Sequence, residues 1–345
     1  MALSGKSMRA IIMENIGRPR VLKVSRIRVP TPGPGQVLVK IHATSVNPKD
    51  LDLRSGRLII RKPMPHILGA DLAGEIEAIA DDVKGWEVRA RVFACSEALG
   101  GEINGTYAEF CALPADQLIA LPEELDFQSA VAAGASFADA RFALVNNGKL
   151  KKTDMLVIRG AASALGASAV QIARARGAKV IAISEGKYAA KLQEIGADIV
   201  LEDAGDDLVR QVKVATDERG ASLVLHCNDR LNLEESLEML GSGGRLVIAG
   251  ALRKPQARLD AMDLYLKNLS IHGSNGAIKP KELETMLKNL ADGTYKPLVD
   301  EVMPLSRAQK AHRKSEKEPG FGKIVLVPDS ILEAAEKPSN WIPIE

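Results

Sequence analysis

A run of small residues near the middle of the chain has the composition and spacing needed to bind a dinucleotide pyrophosphate. In Arg159-Gly-Ala-Ala-Ser-Ala-Leu-Gly166, the three positions of a G-x-G-x-x-G fingerprint hold Ala161, Ser163 and Gly166. Small side chains let backbone N–H groups and a helix N-terminus approach a phosphate, although close packing alone would also explain such a turn. The predicted cofactor-binding backbone is that of Ala161, Ala162, Ser163, Ala164, Leu165 and Gly166.

The segments on either side of this turn complete a βαβ unit. Met155-Leu-Val-Ile158 and Lys179-Val-Ile-Ala-Ile-Ser184 are apolar and partly β-branched, which predicts two buried strands. Between them, residues 167 to 176 carry apolar side chains at helical spacing and are followed by Gly177, a typical helix stop. Strand, turn, helix and parallel strand form the first half of a dinucleotide-binding fold.

The pattern of the chain changes near Leu121-Pro122. Residues 9 to 120 contain strand-like runs, one of them over 106–112, separated by turn-forming stretches such as Pro30-Thr-Pro-Gly-Pro-Gly35. Beyond that point a helix is predicted over 127–145, and strands then alternate with helices. Such alternation predicts a parallel sheet that is covered on both faces.

Composition excludes several classes of protein. The chain has 345 residues, enough for two domains, and its net charge of +2 gives no electrostatic reason to expect binding to nucleic acid or an anionic membrane. No apolar run approaches the length of a membrane span, and we expect a cytoplasmic protein. The three cysteines have no metal-ligand spacing, although Cys95 and Cys111 could pair if the fold brings them together. A basic run over 307–317 is interpreted as a solvated helix face.

Several motifs, taken together and in order, give the chain a resemblance to a known superfamily. They are Pro32-Gly-Pro-Gly-Gln-Val-Leu-Val39, Ser45-Val-Asn-Pro-Lys-Asp50, Gly69-Ala-Asp-Leu-Ala-Gly74, Gly105-Thr-Tyr-Ala-Glu109, the 159–166 turn, Gly243-Gly-Arg-Leu-Val-Ile-Ala-Gly250 and Gly322-Lys-Ile-Val-Leu326. Each is weak alone. From Met8 to about Val327, the chain resembles the medium-chain dehydrogenase/reductase superfamily, and within it the zinc-free quinone oxidoreductase branch.

The resemblance implies an α/β fold with an inserted domain. A Rossmann domain, which is a doubly wound parallel sheet, would interrupt a β-rich GroES-like catalytic domain built from both chain ends. We place the first part of the catalytic domain at residues 1–122, the Rossmann domain at 123–268 and the second part of the catalytic domain at 269–345.

The same resemblance argues against a zinc site. Asn47 stands where the zinc-dependent alcohol dehydrogenase branch has its first catalytic cysteine, and Ala70 and Asp71 stand where it has a His-Glu pair. His42 and His66 are isolated, and such histidines are more often packed or surface residues than ligands. We therefore expect no metal.

Without a metal, the resemblance implies hydride transfer to an acceptor that carries its own carbonyl, a quinone or an α,β-unsaturated carbonyl. Asn47 would be a polar donor, or else a turn residue before Pro48. Asp52 replaces a tyrosine, and Asp139 replaces a threonine beside the nicotinamide. Either aspartate is a candidate catalytic acid if it stays protonated, and is idle if it lies at a solvent-facing edge. The candidate catalytic residues are Asn47, Asp52 and Asp139.

The choice of cofactor depends on the end of the second predicted strand. NAD-binding proteins place an acidic side chain there for the ribose hydroxyls. Here Ser184 is followed by Lys187, which suits the 2′-phosphate of NADPH, whereas Glu185 would suit NADH if the alignment is shifted by one residue. The remaining predicted cofactor-binding residues are Tyr188, Asn228, Gly250, Ala251, Ser274 and Lys323.

These patterns predict a zinc-independent, NADPH-dependent reductase of quinones or enones. We expect a homodimer, as in the family, with residues 264–274 supplying an edge strand to the interface. The main alternative is an NADPH-binding sensor or interaction protein whose catalytic pocket has drifted, because Asp52, Asp139 and the turn His226-Cys-Asn-Asp229 all depart from the family pattern. A zinc alcohol dehydrogenase is a more distant alternative.

Overall fold

The computed structural model of the chain describes residues 5–203, 207–227, 232–250, 258–275 and 279–335. These residues form two compact units. The terminal unit contains residues up to 134, 299–319 and those from 323 onward, and the central unit contains 135–298 and 320–322.

The chain begins with a β-rich part and continues with alternating elements. Up to residue 150 the elements are β1 (Ser7–Met13), β2 (Leu22–Arg28), β3 (Gln36–Ser45), α1 (Pro48–Ser55), β4 (His66–Ile67), β5 (Asp71–Ile79), β6 (Arg91–Cys95), β7 (Phe110–Pro114), β8 (Ile119–Ala120) and α2 (Phe127–Arg141), with a π-helical segment at Phe142–Asn147. They are followed by β9 (Met155–Arg159), α3 (Ala164–Ala175), β10 (Lys179–Ser184), α4 (Ala189–Glu194), β11 (Ile199–Glu202), α5 (Leu208–Ala215), β12 (Ala221–His226), α6 (Leu233–Glu238), β13 (Leu240–Ala249), α7 (Ala261–Lys267), β14 (Ser270–Ser274), α8 (Pro280–Ala291), β15 (Val299–Pro304), α9 (Ala308–Lys317), β16 (Lys323–Val327) and α10 (Asp329–Ala335).

The central unit contains the predicted parallel sheet. Its strand order is β11-β10-β9-β12-β13-β14, and every neighbouring pair is parallel. This is the 3-2-1-4-5-6 order of a dinucleotide-binding fold. The middle strands are buried because helices cover both faces, which explains their nearly continuous runs of Val, Ile and Leu. The predicted fold class is confirmed.

The terminal unit contains two further sheets. One has the order β2-β1-β4, and the other has the order β15-β16-β3-β5-β6-β8, with β7 also paired to β3. β16 pairs with the end of β3, at Ser45 and Thr44, so a strand from the end of the chain completes a sheet begun near its start. This pairing places Lys323, the first residue of β16, near the residues that follow β3.

Two predicted elements have different bounds in the structure. The strand expected over 106–112 begins only at Phe110, because the backbone of Tyr107 bonds to Leu68 and Ile11 instead of a strand ladder. The helix expected over 127–145 remains α-helical only to Arg141 and continues as the π-helical segment.

The division of the chain also differs from the predicted domain bounds. Residues 123–134 fall in the terminal unit, where Phe127 packs on His42 with ring centroids 4.4 Å apart. Residues 269–298 fall in the central unit, because β14 extends its sheet beyond β13. The pairing considered for Cys95 and Cys111 does not occur, since neither they nor Cys227 form a disulfide within the described residues. Among the residues that the structure describes, no helix is both long and apolar enough to cross a membrane.

Candidate active site

The start of α3 in the central unit is built to accept an anion. Ser163 is the N-cap, and its hydroxyl accepts a hydrogen bond of 3.0 Å from the N–H of Gly166. The N–H groups of Ala164 and Leu165, in the first turn, have no carbonyl partner within the helix because of helix geometry. These two groups point out of a positive helix end, so the backbone can bind a pyrophosphate.

Gly166 explains why this turn can be so tight. A Cβ atom at that position would lie 2.3 Å from the carbonyl oxygen of Gly160 and 2.7 Å from Cα of Ala161. No side chain fits in that space, so the glycine lets α3 pack directly against the end of β9. The last glycine of the degenerate fingerprint therefore has the role that its position predicts.

The other predicted cofactor residues of the central unit also lie where strands end. Gly250 follows β13, and Ser274 ends the neighbouring β14. The backbone of Gly250 is exposed, and a Cβ there would meet nothing closer than 3.8 Å, which leaves room for a ligand to approach. Asn228 and Ala251 lie outside the described residues.

Ser184 and Lys187, predicted to bind the 2′-phosphate of NADPH, both have partners within their own segment of the chain. Ser184 ends β10, is buried, and donates its hydroxyl proton to the carbonyl oxygen of Glu185 at 3.0 Å. The ammonium of Lys187 lies 2.6 Å from the carboxylate of Glu185 and 4.9 Å from the ring centroid of Tyr188. Both charged side chains are exposed, so this ion pair can open at little cost. Lys187 must leave Glu185 in order to bind a 2′-phosphate.

Arg159 is a buried cation at this edge that sequence reasoning did not select. It ends β9 and is only 4% exposed. Its guanidinium lies 2.5 Å from the carboxylate of Glu235 and 3.9 Å from that of Asp203. A charged residue at the end of an otherwise apolar strand is the signal that could have identified it, since such a charge needs a partner.

In the terminal unit, Asn47 lies at the N-terminus of α1 and is almost fully buried. Its Nδ2 atom donates a hydrogen bond of 2.9 Å to Oδ2 of Asp71 and lies 3.3 Å from the carbonyl oxygen of Ser45. Its Oδ1 atom accepts a hydrogen bond from Nζ of Lys323. Asn47 is therefore both the N-cap residue of α1 and a member of a buried polar cluster.

Asp71 and Lys323 are the charged members of this cluster. Asp71 accepts hydrogen bonds from the backbone N–H of Ser45 at 2.8 Å and from its hydroxyl at 2.6 Å. Nζ of Lys323 lies 4.0 Å from Oδ2 of Asp71 and 3.4 Å from the carbonyl oxygen of Val46. Lys323, predicted to bind the cofactor, thus lies in the terminal unit beside Asn47.

A second buried chain begins at the same helix N-terminus. The carboxylate of Asp50 accepts hydrogen bonds from the N–H groups of Asn47 at 2.9 Å and Gly69 at 3.1 Å. The hydroxyl of Tyr107 donates to Asp50 at 3.2 Å, and the same oxygen lies 3.1 Å from Nε2 of His312. Because the hydroxyl donates to Asp50, the ring proton of a neutral His312 belongs on Nε2.

Burial shifts the pKa values along this chain. Loss of solvent raises the pKa of Asp50 to about 6, and the nearby Asp71 carboxylate acts in the same direction. Burial likewise raises the pKa of Tyr107 well above its ordinary value. Burial, reinforced by the Arg54 guanidinium, lowers the pKa of His312 to about 3. At neutral pH the tyrosine and the histidine are therefore both uncharged.

The two candidate aspartates have different surroundings. Oδ1 of Asp52 lies 2.7 Å from Nε of Arg57 and 2.5 Å from its Nη2, so the carboxylate forms an ion pair with that guanidinium. Asp139 is exposed on α2, in the central unit. The ion-pair partner of Asp52 among the described residues is thus Arg57, which follows α1 in sequence.

No group of three or more His, Cys, Asp or Glu side chains suited to a metal occurs in the described ranges. His66 is buried with Nε2 2.8 Å from the carbonyl oxygen of Gly100, and His42 lies 3.6 Å from Glu75. Burial lowers the pKa of both rings.

Two known domain families match the chain, one in its N-terminal part and one in its central part. Residues 33–123 match the alcohol dehydrogenase GroES-like domain, and residues 164–292 match a domain described as zinc-binding dehydrogenase. The quinone oxidoreductase of Sus scrofa is 32% identical over 326 residues, which cover 90% of this chain and 95% of the relative.

The chain belongs to the medium-chain dehydrogenase/reductase superfamily. Within it, the chain is quinone oxidoreductase-like, and it is an oxidoreductase of that family. Acryloyl-coenzyme A reductase from Sulfurisphaera tokodaii is 26% identical over 343 residues, covering 93% of this chain and 100% of the relative. A crystal structure titled NAD-dependent alcohol dehydrogenase superposes with a TM-score of 0.87 at 30% identity, covering 93% of this chain and 99% of that one.

Sequence reasoning overlooked much of the buried network of this dehydrogenase/reductase. It named Asn47, and it considered Asp71 only as the residue at a zinc-ligand position. His312 lies inside the basic run interpreted as a solvated face, yet Ala308, Ala311 and His312 are buried. Their i, i+3, i+4 spacing is the signal of a packed stripe within that run.

Proposed function

We propose that the protein is a zinc-independent, NADPH-dependent reductase of quinones or α,β-unsaturated carbonyls. The observation that carries this proposal is the ammonium of Lys323, buried beside Asn47 and Asp71. Those two residues stand at positions where zinc-dependent relatives have ligands. A fixed positive charge there disfavours a second cation, so the reaction would rely on an acceptor that carries its own carbonyl.

The residues of the central unit fit a nicotinamide dinucleotide. The N–H groups of Ala164 and Leu165 would hold the pyrophosphate, and Lys187 would bind the 2′-phosphate once it leaves Glu185. Gly250 and Ser274 lie at the same edge of the sheet, where this fold binds its ligands. When bound, the nicotinamide supplies the hydride. The Sus scrofa relative supports a quinone substrate, and the acryloyl-coenzyme A reductase supports an activated alkene.

The alternative is a cofactor-binding sensor without turnover. Asp52 is paired with Arg57, and Asp139 is exposed, so neither is held as a buried catalytic acid. This observation favours the sensor as a second candidate. A zinc alcohol dehydrogenase is disfavoured by the buried ammonium.

Steady-state oxidation of NADPH in the presence of a panel of quinones, enals and enones tests the proposal. We expect turnover with at least one activated acceptor and none with simple alcohols and NADP⁺. Cofactor binding at micromolar concentrations without turnover on any acceptor would favour the sensor.

We also propose a homodimer formed through the edge of the central sheet. β14 is the last strand in that sheet, and exposed apolar side chains occur on and before α7, the helix that precedes β14 in sequence. They are those of Leu259, Met262, Tyr265 and Leu266. Exposed apolar side chains and sheet edges are both typical of interfaces.

A further inference from the structure

Asn47, the donor that the sequence selects, has no hydrogen left to donate to a substrate. A side-chain amide carries two N–H bonds. One is directed to Asp71 at 2.9 Å, and the other faces the carbonyl and hydroxyl oxygens of Ser45 at 3.3 and 3.4 Å. Breaking the bond to Asp71 would leave a fully buried carboxylate short of a donor, which is costly.

The ammonium group of Lys323 has more N–H donors than hydrogen-bond acceptors around it in the described residues. An ammonium group carries three N–H bonds, and among the described residues Nζ has two hydrogen-bond acceptors, Oδ1 of Asn47 and the carbonyl oxygen of Val46. Asp71, at 4.0 Å, is an ion-pair partner beyond hydrogen-bond distance. One N–H of Lys323 is therefore available to another acceptor.

The surroundings of Lys323 hold its charge in a fixed place. The side chain is about 4% exposed, so water screens it weakly. Asp71, in turn, is fixed by both the backbone and the side chain of Ser45. A cation whose position is set before the reaction stabilises a developing anion without reorganisation.

We propose that Lys323 is the catalytic donor that stabilises the substrate oxyanion, and that Asn47 and Asp71 are the residues that position it. This inference rests on the proposed reductase function. On reduction, the acceptor gains a hydride, a C–H bond forms, and the electron pair of the broken π bond moves to the carbonyl oxygen. Lys323 donates a hydrogen bond to that anionic oxygen. Water then supplies the proton that completes the product, and Lys323 keeps its own protons.

The test compares Lys323→Met, Lys323→Arg and Asn47→Ala with the control Lys179→Met. Lys179 is exposed at the first residue of β10, the end of that strand away from Ser184. Thermal melts first establish which variants fold. With the best acceptor of the panel, we expect Lys323→Met to lower kcat by roughly 10²–10³-fold. KM and the Kd for NADPH should change by less than about threefold if the donor acts chiefly in the transition state. Lys323→Arg should restore part of the rate because it keeps the charge, and Asn47→Ala should lose less than Lys323→Met.

A second measurement does not depend on turnover. The phenolate of 4-nitrophenol resembles the oxyanion of a reduced quinone, and its absorbance shows whether it is ionised. In the complex with NADP⁺, we expect the wild-type protein and Lys179→Met to favour bound phenolate over phenol, and Lys323→Met to lose at least about tenfold of that preference.

Three results would overturn the inference. The first is unchanged kcat and phenolate binding in folded Lys323→Met. The second is a loss of NADPH affinity in that variant with phenolate binding intact, which would make Lys323 a cofactor ligand. The third is a wild-type protein that shows no preference for the phenolate. If no acceptor is turned over but the phenolate is bound through Lys323, the reductase proposal fails while the anion-binding role of Lys323 survives.

Discussion

Asn47 and Lys323 form a hydrogen bond across 276 positions of sequence. The bond is possible because β16 pairs with the end of β3, two residues before Asn47. It joins a residue that the sequence assigns to catalysis with one that it assigns to cofactor binding. The cluster is completed only when both chain ends come together.

The first prediction concerns the cofactor. Lys187→Ala should weaken NADPH binding about tenfold, the lower end of the roughly 1.5–3 kcal/mol expected for a charge-assisted contact, because Glu185 competes for the lysine. NADH binding should not change, and Glu185→Gln should strengthen NADPH binding. Fluorescence titration measures each Kd, with Lys179→Ala as the control. Equal affinities for NADPH and NADH in the wild type would contradict the assignment.

The second prediction is that the purified protein contains no stoichiometric zinc and that a chelator changes neither its melting temperature nor its activity. The buried ammonium of Lys323 lies 4.0 Å from Oδ2 of Asp71, and its positive charge disfavours a second cation at that carboxylate. Elemental analysis provides the measurement. One tightly bound zinc per chain would refute the prediction.

The third prediction concerns Asp52. Because its carboxylate is paired with Arg57, we expect Asp52→Asn to change kcat by less than about threefold and to cost at most about 1 kcal/mol of stability. Arg57→Gln should have the same small effect, and the double variant should equal either one alone. A tenfold loss of rate in Asp52→Asn only would instead identify Asp52 as a catalytic acid.

The fourth prediction concerns stability in acid. The pKa of His312 is lowered to about 3 in the folded protein, below its value of about 6.5 in the unfolded chain. The neutral ring therefore contributes fully to the free energy of unfolding above about pH 6.5, and this contribution is lost as the pH falls towards 3. Asp50 has the opposite effect on the free energy of unfolding, because its pKa is raised to about 6 in the folded protein. Its contribution to stability is lost as the pH rises through 6. His312→Gln should flatten the decline of unfolding free energy between about pH 6 and 4, by at most about 1.4 kcal/mol per pH unit. Urea titrations at several pH values measure this, and an unchanged slope would show that the ring is protonated in the folded state.

The fifth prediction concerns assembly. Tyr265→Glu should convert a dimer into a monomer, because Tyr265 is 79% exposed on α7 and a buried carboxylate would disrupt an apolar interface. Val24→Glu, at a 52% exposed apolar position on β2, is the control. Analytical ultracentrifugation separates the outcomes. A wild-type monomer at micromolar concentration would contradict the dimer.

Local patterns predicted the central sheet well. The strand at 179–184 has the predicted bounds, and the strand predicted over 155–158 extends by one residue to Arg159, because both apolar runs are bounded by clear turn residues. The turn before α3 was also recognised, since its function depends on backbone geometry that small residues permit.

The polar cluster could be predicted only in part. Tyr107 contacts Asp50 across 57 positions and His312 across 205, and no local pattern encodes such contacts. The partner of Lys187 depends on side-chain conformation, which the sequence does not specify. Asn47 was found because it stands in a motif, whereas its hydrogen-bond partners became visible only in the fold.

The interruption of the terminal unit imposes an order on synthesis. A ribosome releases residues 5–134 first and residues 135–298 of the central unit next, and only then can β15 and β16 emerge. Until β16 has been synthesised, the end of β3 cannot form its pairing with that strand. A nascent chain arrested before residue 323 would hold a complete central sheet and an unfinished terminal one. Translation therefore delivers the dinucleotide-binding half of the enzyme before the half that carries the buried lysine.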